Sequence, residues 1–425
     1  MLAQVTRQQN VDPDLTWLAN QIWGTSRAVS GVQVHFHRGP SPDRNHVESY
    51  AVVPSNSRAA FLVPLGSRQA AWASLSRYNA LRQQPARAQR AILAAMMRWG
   101  IGPSIFRDRL SVFVDEKMGE LHGDNLLLST HLSHALNVSP LAMAFGVHPT
   151  DPNHKPTAQL FDLHGKPVGF AKIGWNDATR DLVTAEADAL GELGVNSPRG
   201  MQLPRLLHRG DWNGLRLSVS APLPLDVRAH KNPDLPPVAL TRALAEVRGL
   251  QEHPLAQCEF WLRLRALVDV VCADDQHTSL GAKLRHYVET LDAAYSTTTI
   301  TCGTWHGDWV PWNMGWRDGT LQVWDWEHSS HHAPVGFDLL HWTFQVSFVL
   351  RGRPLRDAVA ATDGHGVALL AELEVPRENR GLLTSLYLLE MFLRTYRLMS
   401  RGAGWNGRLY PAMLELLDMR PPDRG

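Results

Sequence analysis

The stretch TWHGDWVPWNMGWRDGTLQVWDWE, residues 304–327, decides the fold prediction. It contains Asp308, then Asn313 five residues later, and then Asp325. A carboxylate that follows a strand and enters a loop can accept a proton from an attacking hydroxyl. The rest of the stretch is typical of a short hairpin, whose two strands would let the Asn313 amide oxygen and the Asp325 carboxylate converge on one Mg²⁺ ion. Since Mg²⁺ neutralises phosphate charge during in-line transfer, these residues indicate phosphoryl transfer.

The full pattern is His306-Gly307-Asp308, four residues, Asn313, and then a strand that carries Asp325-x-Glu327. It resembles the catalytic and metal-binding loops of the aminoglycoside phosphotransferase and choline kinase-like family. The resemblance covers roughly residues 139–345. It implies an α+β, protein kinase-like two-lobed fold, with a five-stranded β-rich N-lobe and a mainly helical C-lobe. It also implies ATP or GTP with Mg²⁺ as cofactors, Asp308 as the catalytic base, and Asn313 and Asp325 as the metal ligands.

The resemblance assigns nucleotide-binding roles upstream of this stretch. Lys172 lies in the middle of the strand-like run VGFAKIGW, where the family's lysine contacts the α- and β-phosphates. Its partner is expected to be Glu186, 14 residues later on the next helix. Asp188 lies on the same helix, but two residues further round it faces elsewhere.

The resemblance also places the hinge at Ser220, Ala221 and Leu223, whose backbone would contact adenine. Downstream, Asp338 in PVGFDLLHW resembles the acidic residue with which the family braces its catalytic loop. One departure concerns the phosphate loop. The turn VHPTDPNHKP has three prolines and no GxGxxG, so either its amides cradle phosphate less closely or His154 and Lys155 contact phosphate instead.

Periodicity and turn residues divide the chain into four segments. Residues 1–45 are unassigned, and residues 46–135 are predicted to form a small α+β accessory module that the minimal family fold does not need. Residues 136–222 show five strand-like runs with one helix after the third, which predicts the N-lobe. Residues 223–425 are predominantly helical and carry the catalytic and metal-binding loops.

Composition excludes several classes of protein. Lys+Arg is 42 and Asp+Glu is 41 in 425 residues, and this balance argues against nucleic acid as an obligatory partner. Hydrophobic residues make up 44%, so wholesale disorder is excluded. The three cysteines form no CxxC pair, which predicts a reduced, cytoplasmic protein without a disulfide framework. No apolar run approaches the length of a membrane span, so no membrane is expected as a partner.

The acceptor is open at this point. A sugar, polyol, glycan or aminoglycoside-like hydroxyl is expected, and Trp309 and Trp312 are candidate platforms for it. From Cys302 to Gly425 there are 14 acidic residues and 12 arginines, which does not favour a polycation. Two alternatives are a peptide Ser/Thr kinase and a non-catalytic nucleotide-binding scaffold, in both of which the N-terminal module would bind a protein partner.

Two further metal hypotheses stay open on the sequence alone. Glu327 is either a further metal ligand or a salt-bridge partner. His328, His331 and His332 form a cluster that would suit a zinc hydrolase, although no HExxH or CxxC motif accompanies it.

Overall fold

The computed structural model describes residues 11–24, 31–39, 46–77, 84–115, 126–149, 153–405 and 407–409. They divide into two compact units. The first unit contains the described residues up to Ala187 together with Pro204–Arg228. The second contains Asp188–Leu203 and the described residues from Ala229 onward.

A nine-stranded antiparallel sheet is the centre of the first unit. In chain order its strands are β1 (Val32–Arg38), β2 (His46–Ser55), β3 (Arg58–Pro64), β4 (Asp108–Val114), β5 (Ala142–Gly146), β6 (Thr157–Phe161), β7 (Pro167–Gly174), β9 (Leu206–Trp212) and β10 (Leu215–Ser220). Strand β8 (Met201–Gln202) belongs to the second unit. The order across the sheet is β1-β4-β2-β3-β5-β6-β7-β10-β9. The predicted α+β class is confirmed, and the sheet has nine strands where the sequence predicts a five-stranded lobe.

The helices that begin in the first unit are α1 (Pro13–Ile22), α2 (Arg68–Ser76), α3 (Gln84–Arg98), α4 (Gly102–Ile105), α5 (Leu128–Leu136) and α6 (Asp177–Leu193). Helix α1 begins at Pro13, where Asp12 accepts a hydrogen bond from the Asp14 amide as its N-cap. Leu15, Leu18 and Ile22 recur at helical spacing and are buried in the same core as the inner face of the sheet.

The sheet joins two segments that the sequence separates. Strand β3 pairs with β5 through Phe61 with Gly146 and Leu62 with Phe145, so the strands of residues 46–135 continue into those of residues 136–222. Helix α1 and strand β1 lie in the segment left unassigned. The four-segment domain organisation stays a prediction. The sheet is continuous across the predicted boundary at residue 135.

The described residues after Arg228 belong to the second unit and are mainly helical. Its further helices are α7 (Val238–Ala245), α8 (Glu259–Cys272), α9 (Thr278–Tyr295), α10 (Phe337–Gln345), α11 (Leu355–Ala361), α12 (Val367–Glu372) and α13 (Arg377–Leu398). Its strands are β11 (Arg228–Ala229, at the boundary), β12 (Gln251–Pro254), β13 (Thr299–Trp305), β14 (Met314–Arg317), β15 (Thr320–Val323) and β16 (Ser330–Pro334). One large hydrophobic core gathers side chains of α8, α9, α10 and α13 against β13.

Two strand arrangements position the predicted catalytic and metal-binding loops within this unit. Strands β14 and β15 form the predicted hairpin, and β8 pairs in parallel with β15. Strands β12, β13 and β16 form a separate antiparallel sheet that the sequence analysis did not predict. The sequence does not predict this sheet because β12 is four residues long and mostly exposed, and therefore shows no apolar alternation.

Among the residues that the structure describes, no helix combines the length and the apolar character needed to cross a membrane.

Candidate active site

The loop that carries Asp308 follows strand β13 and is held by its own backbone. Gly307 has a φ of +78°, and a Cβ added there would lie 2.2 Å from the carbonyl oxygen of His328. Glycine is therefore required by both conformation and space. A 3₁₀ turn at Pro311–Asn313 then leads into β14. This sharp path places the Asp308 side chain where the loop leaves the sheet.

Asp338, the second residue of α10, binds the backbone of this loop. Its Oδ2 accepts from the His306 amide at 2.9 Å and its Oδ1 accepts from the Gly307 amide at 3.1 Å. Arg394 of α13 donates to the Gly307 carbonyl at 2.7 Å. Burial raises the pKa of the Asp338 carboxyl to about 7, against the opposing effect of the two amides and Arg394. Asp338 braces the loop, as the resemblance implies.

Both oxygens of the Asp308 carboxylate are oriented. The Asn313 side-chain amide donates to Oδ2 at 2.7 Å, and His341 Nε2 lies 2.9 Å from Oδ1. The side chain is 26% exposed, so one face of the carboxylate remains accessible. Burial alone would raise the pKa of Asp308, but the hydrogen bond from His341 acts in the opposite direction and the pKa lies below its ordinary value. Asp308 is therefore ionised at neutral pH and can accept a proton.

His306 ties the loop to the hairpin. Its Nδ1 accepts from the Asp308 amide at 3.1 Å, so its Nε2 carries the hydrogen and donates to the Trp324 carbonyl at 3.1 Å. Burial lowers the pKa of His306 to about 4, which keeps this neutral tautomer at physiological pH. The histidine of the motif is thus a buried structural link.

Asn313 and Asp325 lie at the same end of the β14–β15 hairpin. The sequence analysis put them on the two strands, and the structure corrects this in detail, since Asn313 directly precedes β14 and Asp325 follows β15 by two residues. The Trp324 amide donates to the Asn313 carbonyl at 3.1 Å, which holds the two ends together. A carboxylate oxygen of Asp325 lies within 4.8 Å of one of Glu327.

Three side chains at this end of the hairpin offer oxygen donors to a divalent cation. Asn313 uses its amide nitrogen on Asp308, which leaves its Oδ1 as an available acceptor. Together with the Asp325 and Glu327 carboxylates this is a set of hard oxygen donors, as Mg²⁺ prefers. The residues present therefore fit the metal that the resemblance implies.

Lys172 and Glu186 lie in the first unit. Lys172 is in the middle of β7 between buried Ala171 and Ile173, so its side chain points to the opposite face of the sheet. Its Nζ lies 2.8 Å from the Glu186 carboxylate on α6. Glu186 is buried, whereas Asp188 is exposed, as the helical spacing predicts. The nucleotide-binding role of the pair stays a prediction.

The predicted hinge and phosphate loop also lie in the first unit. Ser220 ends β10, the Ala221 amide donates to the Arg205 carbonyl at 2.7 Å, and Leu223 lies in the loop that follows. Residues 150–152 of the phosphate loop lie outside the described residues. The His154 carbonyl accepts from Trp175 Nε1 at 2.9 Å. Contacts of these segments with nucleotide stay predictions.

The structure bears on two further hypotheses from the sequence. Trp309 is fully buried and cannot stack on a substrate, whereas Trp312 is 40% exposed and remains a candidate. His331 hydrogen-bonds to Glu192, and His332 pairs with Glu259. In the part of the chain that the structure describes, no metal-holding group of His, Cys, Asp and Glu includes a histidine, so the zinc hypothesis has no support.

Three functional candidates were missed by the sequence analysis: His341, Tyr387 and Arg394. Each lies in an apolar helical pattern that is typical of core residues, LLHW for the first and LYLLEMFLRTY for the others. They reach the loop because α10 and α13 pack against it. The sequence alone contains no local signal for these contacts.

No model of a known protein family and no curated protein matches this sequence. Among solved structures, the chain is similar to a glucosamine kinase. One crystal form matches at 16% identity and a TM-score of 0.35, over 69% of this chain and 84% of that chain. Another matches at 17% identity and a TM-score of 0.33, over 92% of each.

Two other small-molecule kinases are similar. A thermostable mutant of the aminoglycoside phosphotransferase APH(4)-Ia, in complex with ADP and hygromycin B, matches at 11% identity and a TM-score of 0.42, over 70% of this chain and 99% of that one. A putative fructosamine-3-kinase from Haemophilus somnus matches at 13% identity and a TM-score of 0.40, over 68% and 96%. All of these TM-scores lie below 0.5, so these similarities assign no function to the chain.

Proposed function

We propose that this protein is a phosphotransferase that uses ATP or GTP with Mg²⁺ to phosphorylate a hydroxyl of a small molecule. The observation that carries the proposal is the Asp308 carboxylate. It is partly exposed, both of its oxygens are oriented, and its loop is braced by a buried acid. Such fixation of one carboxylate is what a base needs if positioning dominates catalysis, as it does in phosphoryl transfer.

The reaction assigns one role to each residue. Asp308 orients the acceptor hydroxyl and takes its proton, while the hydroxyl oxygen forms a bond to the γ-phosphorus. The bond between that phosphorus and the bridging oxygen breaks, and the nucleoside diphosphate leaves with the electron pair. Asn313 and Asp325 would hold Mg²⁺, and the nearby Glu327 carboxylate offers a further oxygen ligand. Bound Mg²⁺ supplies charge neutralisation at the phosphates.

Nucleotide anchoring is assigned to residues of the first unit. Lys172 would contact the phosphates, and Glu186 fixes the direction of its side chain through their ion pair at 2.8 Å. The backbone of Ser220, Ala221 and Leu223 would receive adenine. These roles come from the family resemblance together with the observed ion pair.

For the acceptor we propose a sugar, polyol, glycan or aminoglycoside-like alcohol. The near balance of acidic residues and arginines between Cys302 and Gly425 favours neutral acceptors over polycations. The exposed face of Trp312, directly before Asn313, suits stacking on a sugar ring.

The test is acceptor-dependent release of ADP or GDP. The panel contains neutral hexoses, amino sugars, polyols, aminoglycosides and Ser/Thr peptides, each with and without Mg²⁺. Asp308→Asn is the inactive variant. Asp318→Asn is its matched control, because Asp318 lies on the exposed turn of the same hairpin and undergoes the same chemical change. Turnover with a small alcohol that Asp308→Asn abolishes and Asp318→Asn keeps is the expected result.

Other outcomes point elsewhere. Turnover with peptides alone would make the protein a peptide kinase. A thermal shift with Mg²⁺-nucleotide, but no turnover with any acceptor, would identify a nucleotide-binding scaffold. Absence of any shift with ATP or GTP would contradict nucleotide binding and with it the proposal.

A further inference from the structure

A buried chain of three polar side chains runs behind the proposed base. The Tyr387 hydroxyl on α13 lies 3.1 Å from Nδ1 of His341 on α10. Nε2 of the same imidazole lies 2.9 Å from Asp308 Oδ1. Tyr387 is fully buried and His341 is 1% exposed, so neither side chain reaches solvent. The chain therefore connects the core of the second unit to the base.

The direction of each hydrogen bond follows from the groups involved. As the proposed base, Asp308 acts as a carboxylate, which only accepts, so His341 Nε2 at 2.9 Å donates to it. Burial lowers the pKa of His341, so the imidazole is neutral and its Nδ1 is an acceptor. Burial also raises the pKa of Tyr387, so the phenol keeps its proton and donates it to Nδ1. One tautomer of His341 satisfies both partners.

Packing fixes the imidazole ring as well. The ring of Tyr387 makes edge contacts with His341, Phe337 and Phe344. These residues belong to α10 and α13, the helices that also carry Asp338 and Arg394. The elements that brace the backbone of the loop therefore also hold the carboxylate of Asp308.

We infer that His341 is a positioning residue for phosphoryl transfer, which fixes Oδ1 of Asp308 through Nε2–H, and that Tyr387 fixes the tautomer that makes this donor available. The inference rests on the proposed function. With Oδ1 held by His341 and Oδ2 by Asn313, the carboxylate cannot rotate away from the acceptor hydroxyl. Loss of the His341 donor leaves one of these two constraints.

The expected effect is on turnover and not on nucleotide affinity, because His341 holds the proposed base and is not assigned to phosphate binding. His341→Leu should lower kcat by about 10- to 100-fold, the effect of a misplaced catalytic group. The KM for nucleotide should stay within about twofold. His341→Gln places an amide N–H near the position of Nε2 and should recover most of the loss. Tyr387→Phe should lower kcat by about fivefold, the worth of one neutral hydrogen bond.

The chain offers matched controls. His277 and Tyr396 form another His–Asp–Tyr cluster, in which both contact Asp274, and it lies outside the Asp308 loop. His277→Leu and Tyr396→Phe therefore repeat the same chemical changes on a similar hydrogen-bonded group. Their kcat should equal that of the wild type. If His341→Gln is as impaired as His341→Leu, or if all variants match the controls, the inference is overturned.

A second readout does not depend on activity. In protein labelled with ¹⁵N-histidine, the resonance pair that disappears in His341→Gln should show the Nε2–H tautomer at neutral pH. An Nδ1–H tautomer would overturn the inference, even if His341→Leu fails to fold. Failure of the proposed function is distinguishable, since it would show as inactivity of the wild type with every acceptor while the tautomer remains Nε2–H.

Discussion

The two regions to which we assign the chemistry are held in different ways. Lys172 lies on strand β7 and forms an ion pair with Glu186, and 20% of its side chain is exposed. The Asp308 loop is fixed by a required glycine, by Asp338 and Arg394 on its backbone, and by His341 on its carboxylate. A phosphate anchor tolerates small movements, because the attraction between charges changes gradually with distance. A base must instead lie within hydrogen-bonding distance of the proton that it removes. The hydrogen bonds to the backbone and to both carboxylate oxygens of the Asp308 loop are what such accurate placement of a base needs.

Substitution of the proposed metal ligand should break the chemistry most completely. Asp325→Asn should lower kcat at least as much as Asp308→Asn, by about 10²- to 10⁴-fold, because charge neutralisation matters more than base strength for a loose transition state. It should also abolish the Mg²⁺-dependent part of the thermal shift with nucleotide. Both are measured against Asp318→Asn. A turnover of Asp325→Asn equal to that of the wild type would exclude Asp325 as a ligand.

Removal of the phosphate anchor should have the next largest effect. Lys172→Met should lower kcat/KM for nucleotide by about 10²-fold, the usual loss of a charged group aimed at phosphate. Adding Glu186→Gln should lower it little further, because the two side chains act as one unit. The control is Lys166→Met, on the exposed β6–β7 turn. Additive losses in the double variant would show that Glu186 acts independently of Lys172.

The sequence predicts contacts between residues that are close along the chain better than contacts that depend on the packing of distant helices. Asn313 meets Asp308 through a spacing of five residues, and Glu186 meets Lys172 through one strand and the next helix. By contrast, His341, Tyr387 and Arg394 reach the loop through the packing of α10 and α13, and their apolar neighbours give them the pattern of core residues. The burial of Trp309 beside exposed Trp312 likewise depends on the path of the 3₁₀ turn, which single-residue preferences do not specify.

The buried Asp338 carboxyl, which holds the loop backbone, should make the stability of the protein depend on pH. The folded-state pKa of Asp338 is about 7, above the ordinary value of 3.8. At pH values between these two, the protein therefore takes up a proton when it folds. This contribution to stability is fully present below pH 4 and is lost as the pH rises through about 7, by up to about 4 kcal/mol. Relative to Asp338→Asn, which does not ionise, the wild type should therefore lose stability from pH 4.5 to 7.5. Urea unfolding at four pH values measures both, and parallel pH profiles would contradict the raised pKa.

The smallest effect is expected at Trp312, outside the braced part of the loop. If its exposed face supports the acceptor, Trp312→Ala should raise the KM for the acceptor by about 2- to 10-fold, the range of one stacking contact, and leave the KM for nucleotide unchanged. Trp99→Ala is the matched control, because Trp99 is 72% exposed and lies in the first unit, just after α3. A loss in kcat at constant acceptor KM would mean instead that Trp312 supports the 3₁₀ turn that positions Asn313, and the rigid region would then extend to the surface of the loop.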